Sequence, residues 1–584
     1  MNYRSAQQNK PKKISRIDRS LVLKAFLFIF GAIIIMRLFY IQIVKHDFYT
    51  AQALAEHTKK YEIPAPRGLI KVQDGSNTTA LVLNEKRSLV YADPKYITNS
   101  SEAASKIVGI LGGNESELQK KLASNSRYVI LAKKLPNDQS ERLKKLQIKG
   151  LYFKDVSVRT YPQGTLAAQL LGFVNDDGQG QYGIEAYLNN DLSGKNGIQK
   201  AVTDVNGVPL AINNDNIAKK AQAGDDVVLT INLGMQRLLE DKLKEGVEST
   251  KAASGNAILI DVSDGSIKAM ANYPTYDPNN YDKVTDQKLF TNNVVTGAWE
   301  PGSVMKPLLI AAAFNENKID TNFTYPDAGF VQIQDRRITN ALPYGAQTMT
   351  VLNILQKSLN TGAVTVLKQF GGGEITLQAR ELWYKYLNEK YQFGKLSGVE
   401  QSGEAAGYVA KADEGDAQDV RYANMAFGQG LTVTPLQIAA AYVPIANGGT
   451  YYKPHLVASI DENGVQKKFS DDKGTQVLTP KTANDVKDLI QKTLEANNAA
   501  AVRAGYVLGA KSGSAQVAGG NGQYLDGVTD GVYIGYIGGD TAKYVLLVRL
   551  DDPKTDQFAS TSAARVWAWV SNGLIDNFSI PPKK

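Results

Sequence analysis

Hydrophobic and polar positions follow three different patterns along the chain. A nearly continuous apolar run covers Leu21 to Val44 and is long enough to cross a bilayer as a helix of about 20 residues. From about 46 to 220, short strand-like runs such as Ser88 to Tyr91 and Tyr128 to Leu131 mix with polar helical stretches such as Ser116 to Leu122. Beyond 220 the patterns become more regular. We therefore expect one membrane-spanning helix followed by two folded regions.

The region after residue 220 predicts a mixed fold. The expected strands are Asp226 to Ile231, Asn256 to Val262, Ser266 to Asn272, Val532 to Ile537 and Tyr544 to Leu550, and the expected helices include Met235 to Val247 and Ser560 to Val570. Asp264-Gly265 predicts a hairpin turn between two of the strands. Since strands and helices do not alternate strictly, we expect an α+β domain with a largely antiparallel sheet flanked by helices.

The polar stretch Asn213 to Gly224 favours a domain boundary near 220. We therefore expect a basic tail at 1–20, a transmembrane helix at 21–44, a pedestal domain at 45–220 and a second domain at 221–580. A cleaved signal peptide is the alternative to a spanning helix. It is disfavoured because Ala51-Gln52-Ala53, the stretch that resembles a cleavage site, lies beyond Arg37 and Lys45.

Charge is concentrated at the N-terminus. The formal net charge is +8, and the first 45 residues contain nine Lys or Arg against one acid, so the remaining residues are close to neutral. This distribution argues against a nucleic-acid partner for the main body. A positive cluster before an apolar helix predicts that the tail lies in the cytoplasm and that everything after about residue 45 lies outside.

Cysteine is absent and histidine is scarce, which narrows the possible chemistry. Disulfides, thiol catalysis and cysteine metal sites are excluded. His46 and His57 lie beside the apolar segment and His455 follows Lys453-Pro454, so a Ser-His-Asp triad or a histidine-rich zinc site is not expected. We expect no metal and no cofactor, and an enzyme of this composition needs a base other than histidine.

Three short motifs are candidates for that chemistry: Ser303-Val304-Met305-Lys306, Ser358-Leu359-Asn360 and Lys511-Ser512-Gly513. Singly they are weak, because the chain also contains Ser470-Asp471-Asp472-Lys473 and Ser254-Gly255-Asn256. Their context separates them. Glu300-Pro301-Gly302 precedes Ser303 and an apolar run follows it, which predicts that Ser303 lies at a helix N-terminus and that Lys306 shares its face. Ser470, by contrast, lies in a polar, acidic stretch.

A lysine can activate a serine only when it is neutral. Lowering a lysine pKa from about 10.4 to about 7 or 8 requires roughly 4 kcal/mol, which burial and a second cation could supply. Lys511 is the natural second cation for Lys306. The helix N-terminus would also favour negative charge that develops at Ser303.

These motifs resemble those of penicillin-binding proteins and class A β-lactamases. The resemblance extends over nearly the whole chain and is closest to class B penicillin-binding proteins, the transpeptidases that cross-link peptidoglycan. It is carried by Arg37-Leu38-Phe39, Gln42, Arg67-Gly68, Tyr161-Pro162, Leu171-Gly172, Gly183-Ile184-Glu185, Glu300-Pro301-Gly302-Ser303, Gly428-Gln429-Gly430 and Val433-Thr434-Pro435-Leu436-Gln437. It implies a pedestal or dimerisation domain followed by a transpeptidase domain with a serine β-lactamase-like fold.

The resemblance also implies roles for the catalytic candidates. Ser303 would be the acylated nucleophile and Lys306 its base. Ser358 would relay a proton towards the leaving group, Asn360 would bind a substrate amide, and Lys511 would face the substrate carboxylate.

The third motif would bind substrate. Ser512, Gly513 and Ser514 would lie along the terminal carboxylate of a D-Ala-D-Ala stem peptide or of a β-lactam, and the backbone N–H groups of Ser303 and Ser514 would form an oxyanion hole. The family more often has threonine at the positions of Ser512 and Ser514, but serine retains the hydroxyl.

Several functions remain to be separated. Ser358-Leu359-Asn360-Thr361-Gly362-Ala363-Val364 and Ala426-Phe427-Gly428-Gln429-Gly430-Leu431 look more like septal class B proteins than like side-wall elongation enzymes. The resemblance implies a membrane polymerase of the shape, elongation, division and sporulation class (SEDS) and other division proteins as partners. A β-lactamase and a non-catalytic β-lactam sensor are the alternatives within the same fold, and no glycosyltransferase signature precedes the transpeptidase region.

Overall fold

The computed structural model describes residues 19–74, 77–202, 217–414, 418–462, 465–468, 472–518 and 524–583. Most of the predicted basic tail, part of the predicted connection Asn213 to Gly224, and Ser470 lie outside these residues. The chain divides into two compact units, Met1–Ala65 with Lys195–Gln222 and Pro66–Gly194 with Ala223–Lys584.

The first unit contains the apolar helix. It runs as an α-helix over Arg19–Phe39, continues as a π-helical turn over Tyr40–Val44, and is followed by the helix His46–His57. Within the described residues, Arg19–Val44 is the one helix long and apolar enough to span a membrane, and none of its side chains is buried. The unit also contains a three-stranded antiparallel sheet formed by Thr58–Ile63, Gly197–Val202 and Ile217–Lys219.

The second unit begins with a small layered region. Its long strand Asn77–Ala92 pairs with Ile70–Asp74 through its first half and with Val129–Leu135 and Leu151–Thr160 through its second half. The helices Ser100–Leu111, Glu115–Leu122 and Asn137–Lys145 complete this region. Buried apolar side chains from the strands and all three helices form a separate small core, which includes Val90, Ile107, Leu122, Leu135 and Leu143.

Residues from three widely separated parts of the chain meet in a buried ion cluster. The Glu185 carboxylate is fully buried and accepts hydrogen bonds from Arg67 Nε at 2.8 Å and Arg159 Nε at 2.7 Å. Gly68 lies so close to the backbone of Asp225 that an added Cβ would come within 1.8 Å of its carbonyl oxygen. The Arg-Gly and Gly-Ile-Glu stretches noted in the sequence therefore have a structural role.

The centre of the second unit is a five-stranded antiparallel sheet. Its order is Ile267–Tyr273, Ser254–Asp261, Ala542–Asp551, Tyr524–Gly538 and Val507–Ala518. The helices Leu233–Thr250 and Ala563–Asn577 share a core with one face. A larger core on the other side contains the helices Lys306–Asn315 and Pro435–Asn447. The expected hairpin and the expected antiparallel sheet are confirmed.

Most predicted elements differ from the observed ones in their bounds, and two of these differences have a clear packing reason or consequence. The C-terminal helix was expected over Ser560 to Val570 but begins at Ala563 and ends at Asn577, because Leu574 and Ile575 extend its buried face by a further turn. The strand Asp226–Leu229 is shorter than expected and pairs in parallel with Ile70–Asp74 and antiparallel with Val457–Glu462.

Further helices and strands complete the second unit. The remaining helices and helical turns are Pro94–Tyr96, Ala168–Leu171, Gly183–Tyr187, Asn189–Ser193, Pro278–Lys283, Gln287–Phe290, Asn293–Thr296, Gly302–Met305, Val351–Gln356, Asn360–Gln369, Leu377–Lys385, Tyr386–Lys390, Gln418–Met425, Pro480–Asn497 and Ala499–Ala501. The remaining strands are Phe173–Val174, Gly180–Gln181, Thr324–Asp327, Phe330–Ile333, Arg336–Thr339, Gln347–Thr350, Thr450–Tyr451, Val465–Lys468 and Thr475–Gln476.

Candidate active site

Ser303 lies in a tight turn that leads directly into a buried helix. A 3₁₀ turn covers Gly302–Met305, and the α-helix begins at Lys306, one turn later than the sequence suggested. Gly302 has a φ of +63°, a conformation that glycine adopts without strain. Its N–H donates to the carbonyl of Gly428 at 3.0 Å. The buried hydroxyl of Tyr442 donates to the Val304 carbonyl at 2.7 Å, so the turn is held from two sides.

Lys306 is fully buried, and its Nζ lies among four oxygen atoms. These are Ser303 Oγ at 2.9 Å, the Ser358 carbonyl at 2.7 Å, Asn360 Oδ1 at 2.9 Å and Ser358 Oγ at 3.3 Å. Burial, and then repulsion by Lys511, hold the pKa of Lys306 well below its ordinary value. The predicted neutral lysine thus has a physical basis, with burial as the larger cause.

The geometry assigns the hydrogens of this neutral amine. A carbonyl oxygen and an amide oxygen can only accept, so the Ser358 carbonyl and Asn360 Oδ1 take the two N–H hydrogens. The remaining lone pair is left for the hydroxyl of Ser303 at 2.9 Å. Lys306 is therefore placed to accept the proton of Ser303.

Ser358 lies between two amines. Its Oγ is 3.3 Å from Lys306 Nζ and 3.2 Å from Lys511 Nζ. Its backbone has a φ of +52°, which is uncommon for a residue with a side chain, and the fully buried Leu359 follows it. The surrounding structure thus holds Ser358 in the conformation that places it in the site.

Lys511 is buried on the strand Val507–Ala518 and is also held by backbone. Its Nζ donates to the Ser512 carbonyl at 2.7 Å, and burial lowers its pKa to about 7. Part of the Lys511 population is therefore neutral near pH 7.

The third motif lies against the turn that contains Ser303. A Cβ added to Gly513 would come within 2.8 Å of the Pro301 carbonyl oxygen and 3.1 Å of Val304 Cγ1, so only glycine allows this approach. Ser512 is half-buried and Ser514 is exposed, and the Ser514 hydroxyl accepts a hydrogen bond from Ala559 N at 3.3 Å. The structure thus brings all three predicted motifs together.

Sequence reasoning missed the residues that hold the middle motif. The Asn360 side chain donates from Nδ2 to the Thr339 carbonyl at 3.1 Å, and the backbone N–H of Thr361 donates to Asn340 Oδ1 at 3.1 Å. Thr339 ends the short strand Arg336–Thr339 and Asn340 follows it, in a polar stretch with no motif, so no local signal marked them.

The second Ser-x-Asn match has a structural role. Ser254 begins a central strand, and its hydroxyl donates to Asp551. His455 contacts the Lys453 carbonyl through Nδ1 at 3.3 Å and makes a bridge with Ser266, away from the three motifs. In the part of the chain that the structure describes, no cluster of three or more His, Cys, Asp or Glu side chains could hold a metal ion.

Comparison with known proteins provides an independent line of evidence. Residues 255–570 match the penicillin-binding protein transpeptidase domain, and residues 62–229 match the penicillin-binding protein dimerisation domain. The chain belongs to the penicillin-binding protein family. Since the dimerisation domain precedes the transpeptidase domain in the chain, the predicted resemblance to class B penicillin-binding proteins is confirmed.

Similar proteins match almost the full length of this penicillin-binding protein. Stage V sporulation protein D of Bacillus subtilis is 28% identical, over 97% of this chain and 88% of the relative. Peptidoglycan D,D-transpeptidase FtsI of Escherichia coli K12 is 26% identical, over 96% and 91%. A peptidoglycan synthetase structure from Bifidobacterium adolescentis has a TM-score of 0.69 and 26% identity, over 90% of this chain and 98% of that one. The predicted α+β penicillin-binding fold is therefore confirmed.

Proposed function

We propose that this penicillin-binding protein is a peptidoglycan D,D-transpeptidase that forms an acyl-enzyme on Ser303. The observation that supports it best is the contact between Lys306 Nζ and Ser303 Oγ at 2.9 Å, with both amine hydrogens directed to other acceptors. A buried neutral amine in contact with a hydroxyl is the arrangement that a serine nucleophile needs when no histidine is available.

The first half-reaction releases the terminal D-Ala. Lys306 accepts the proton of Ser303 as Oγ attacks the carbonyl carbon of the D-Ala-D-Ala bond, and the backbone N–H groups of Ser303 and Ser514 stabilise the negative charge on the oxygen. Ser358, in contact with both amines, donates its hydroxyl proton to the departing nitrogen and takes in return the proton that Lys306 accepted from Ser303, so Lys306 is neutral again. The carbon–nitrogen bond breaks and leaves an ester on Ser303.

The second half-reaction forms the cross-link. An amine of a neighbouring stem peptide attacks the ester carbonyl, and its surplus proton returns through Lys306 to Ser303 Oγ as the ester bond breaks. A β-lactam follows the first half-reaction but keeps its leaving nitrogen tethered. Penicillin-binding transpeptidases bind both kinds of ligand, and this chain uses the same residues for each.

The third motif binds the terminal carboxylate of the substrate. Lys511 supplies the charge, the hydroxyls of Ser512 and Ser514 supply neutral donors, and Gly513 lets the strand approach. A bound carboxylate raises the pKa of Lys511 from about 7. Substrate binding therefore shifts Lys511 to its protonated, positively charged form. The second Nδ2 hydrogen of Asn360, which Thr339 leaves available, binds a substrate amide carbonyl.

The helix Arg19–Val44 anchors the enzyme in the cytoplasmic membrane as a single pass. The basic residues at the N-terminus lie in the cytoplasm and the transpeptidase domain lies outside. The guanidinium of Arg37 lies 5.7 Å from the ring of Tyr40 and is a candidate contact for a partner helix. The partners are a SEDS-type glycosyltransferase and division proteins.

The enzyme acts in septal wall synthesis. The middle motif and the 426–431 stretch support this role, and so does similarity to FtsI-type transpeptidases. Replacement of Ser303 by alanine in cells should block septum closure and leave cells elongated or chained, with a fluorescent fusion at mid-cell. Uniform side-wall localisation with rounded, dividing cells would instead favour the elongation role.

The chemistry is tested by a labelled β-lactam and peptide mass mapping on the full-length protein in detergent. The label should lie on Ser303 and should be lost in Ser303→Ala; label that persists in this variant, or lies on Ser470, would overturn the proposal. Turnover of a stem peptide with an amine acceptor separates a transpeptidase from a β-lactam sensor. Rapid hydrolysis of the labelled ester would indicate a β-lactamase.

A further inference from the structure

A buried carboxylate lies behind the middle motif and has no place in the acyl-transfer steps. Asp327 ends the strand Thr324–Asp327 and is 4% exposed. Its Oδ2 accepts the hydroxyl hydrogen of Thr361 at 2.6 Å, and its Oδ1 accepts the Gly329 N–H at 2.8 Å. Thr361 is fully buried and directly follows Asn360 in the chain. The carboxylate is thus one residue removed from a substrate-binding side chain.

Asp327 also orients a second residue of this network. The Asn340 side chain lies between Asp327 and the backbone of Thr361, with Nδ2 3.4 Å from Asp327 Oδ2 and Oδ1 3.1 Å from Thr361 N. An ionised carboxylate can only accept hydrogen bonds. It therefore favours the orientation in which the Asn340 amide presents Nδ2 to Asp327 and Oδ1 to the Thr361 N–H.

The same short segment holds the Asn360 side chain. Thr339 precedes Asn340, and its carbonyl accepts from Asn360 Nδ2 at 3.1 Å, while Asn360 Oδ1 accepts from Lys306 Nζ at 2.9 Å. Thr339 thus binds Asn360, and Asn340 binds Thr361. A shift of Thr361 would move Asn360 relative to both Lys306 and the substrate amide.

We propose that Asp327, acting through Asn340 and Thr361, is a positioning residue that fixes Asn360, and with it one of the two acceptors that direct the lone pair of Lys306 at Ser303. This inference rests on the proposed function. It adds a requirement that none of the three motifs contains, namely a buried acceptor contributed by the segment 324–340.

The sharpest test replaces the Thr361 hydroxyl. Thr361→Val removes the donor to Asp327 with little change in volume, whereas Thr361→Ser retains it. Thr365→Val is the matched control, since Thr365 lies one turn further along the same helix and bonds only to the Thr361 carbonyl, at 2.8 Å, among the contacts of its hydroxyl that the structure describes. The rate constant of acylation by a fluorescent penicillin is measured on full-length protein in detergent. The amplitude of the acylation reaction reports the fraction of folded protein, and its rate constant reports the geometry of the site.

We expect Thr361→Val to lower the acylation rate constant about tenfold or more, because small misplacements of reacting groups have large kinetic effects. Thr361→Ser and Thr365→Val should stay within about twofold to threefold of the unsubstituted protein. Asn340→Ala removes the Asn340 side chain that contacts Thr361, from a half-buried position, and should lower the acylation rate constant by a similar factor. This second variant tests the inference if Thr361→Val does not fold.

A double-mutant cycle shows whether the effect passes through Asn360. In an Asn360→Ala background, Thr361→Val should cost less than about twofold, because the side chain that it positions is already absent. Full losses in both backgrounds, or a Thr361→Val rate within twofold of the unsubstituted protein, would overturn the inference while leaving the proposed function standing. Failure of the unsubstituted protein to label on Ser303 would overturn both.

Discussion

Replacement of Lys511 by methionine should make this enzyme more stable while it abolishes recognition of the substrate carboxylate. Lys511 is 1% exposed, and burial lowers its pKa to about 7, whereas an unfolded chain would give it an ordinary value of about 10.4. Folding therefore has to strip a proton from this lysine or bury its charge. Methionine has a similar length and no such cost.

The magnitude follows from the two pKa values. At pH 7 the difference corresponds to about 4 kcal/mol of destabilisation. The substitution leaves the Ser512 carbonyl and the Ser358 hydroxyl without their contacts at 2.7 and 3.2 Å, which costs roughly 1 kcal/mol each. Loss of the repulsion between Lys511 and Lys306 also stabilises the folded protein. A net gain of about 2 kcal/mol at pH 7 is expected.

The sign of the pH dependence is a stricter test than the gain itself. The unfolded chain binds more protons than the folded one between pH 7 and about 10.4, so the unsubstituted protein gains stability as pH rises through this window. The destabilisation is fully present below pH 7 and fully relieved above about 10.4. The advantage of Lys511→Met should therefore shrink by about 2 kcal/mol between pH 7 and pH 9.

Urea unfolding of the full-length proteins in detergent, followed by tryptophan fluorescence at pH 7, 8 and 9, measures this difference. Lys492→Met is the control, because Lys492 is exposed on the helix Pro480–Asn497 and its removal should leave a small effect that does not change over this range. A Lys511→Met protein that is less stable at every pH, by an amount independent of pH, would show that Lys511 remains charged when buried.

Further predictions concern the reaction. Lys306→Ala should slow β-lactam acylation by about 10² or more, and near-normal acylation at neutral pH would mean that another group acts as the base. Lys511→Ala should weaken reaction with a substrate that bears a terminal carboxylate far more than with its carboxamide analogue, and equal losses in kcat/KM would assign Lys511 to electrostatics at Ser303 instead. Gly513→Ala should slow acylation because its Cβ would meet the Pro301 carbonyl oxygen at 2.8 Å. Gly109→Ala, in the helix Ser100–Leu111 where the structure places nothing within 4 Å of the added Cβ, should leave the rate unchanged.

Much of this protein follows from local pattern in the sequence. The apolar run predicted a helix long enough to span a membrane, and the structure has a helix of that length and composition at Arg19–Val44. Asp264-Gly265 predicted the turn of the hairpin in the central sheet. Such features depend on neighbouring residues, so they can be read without a fold. Element bounds were less predictable: the run Ser88 to Tyr91 is only the end of the 16-residue strand Asn77–Ala92, whose length depends on its three partner strands.

The candidate site divides in the same way. The sequence by itself determined which serines and lysines to consider, and context separated Ser303 from the chance match at Ser470. Only the tertiary structure decided which atoms meet: the four oxygens around Lys306 and the two amines beside Ser358. Asp327 and Asn340 carry no sequence signal, because a residue that positions another through a long-range contact leaves no pattern near itself. Burial lowers the pKa of Lys306 and Lys511, and burial is a property of the packed fold rather than of any segment.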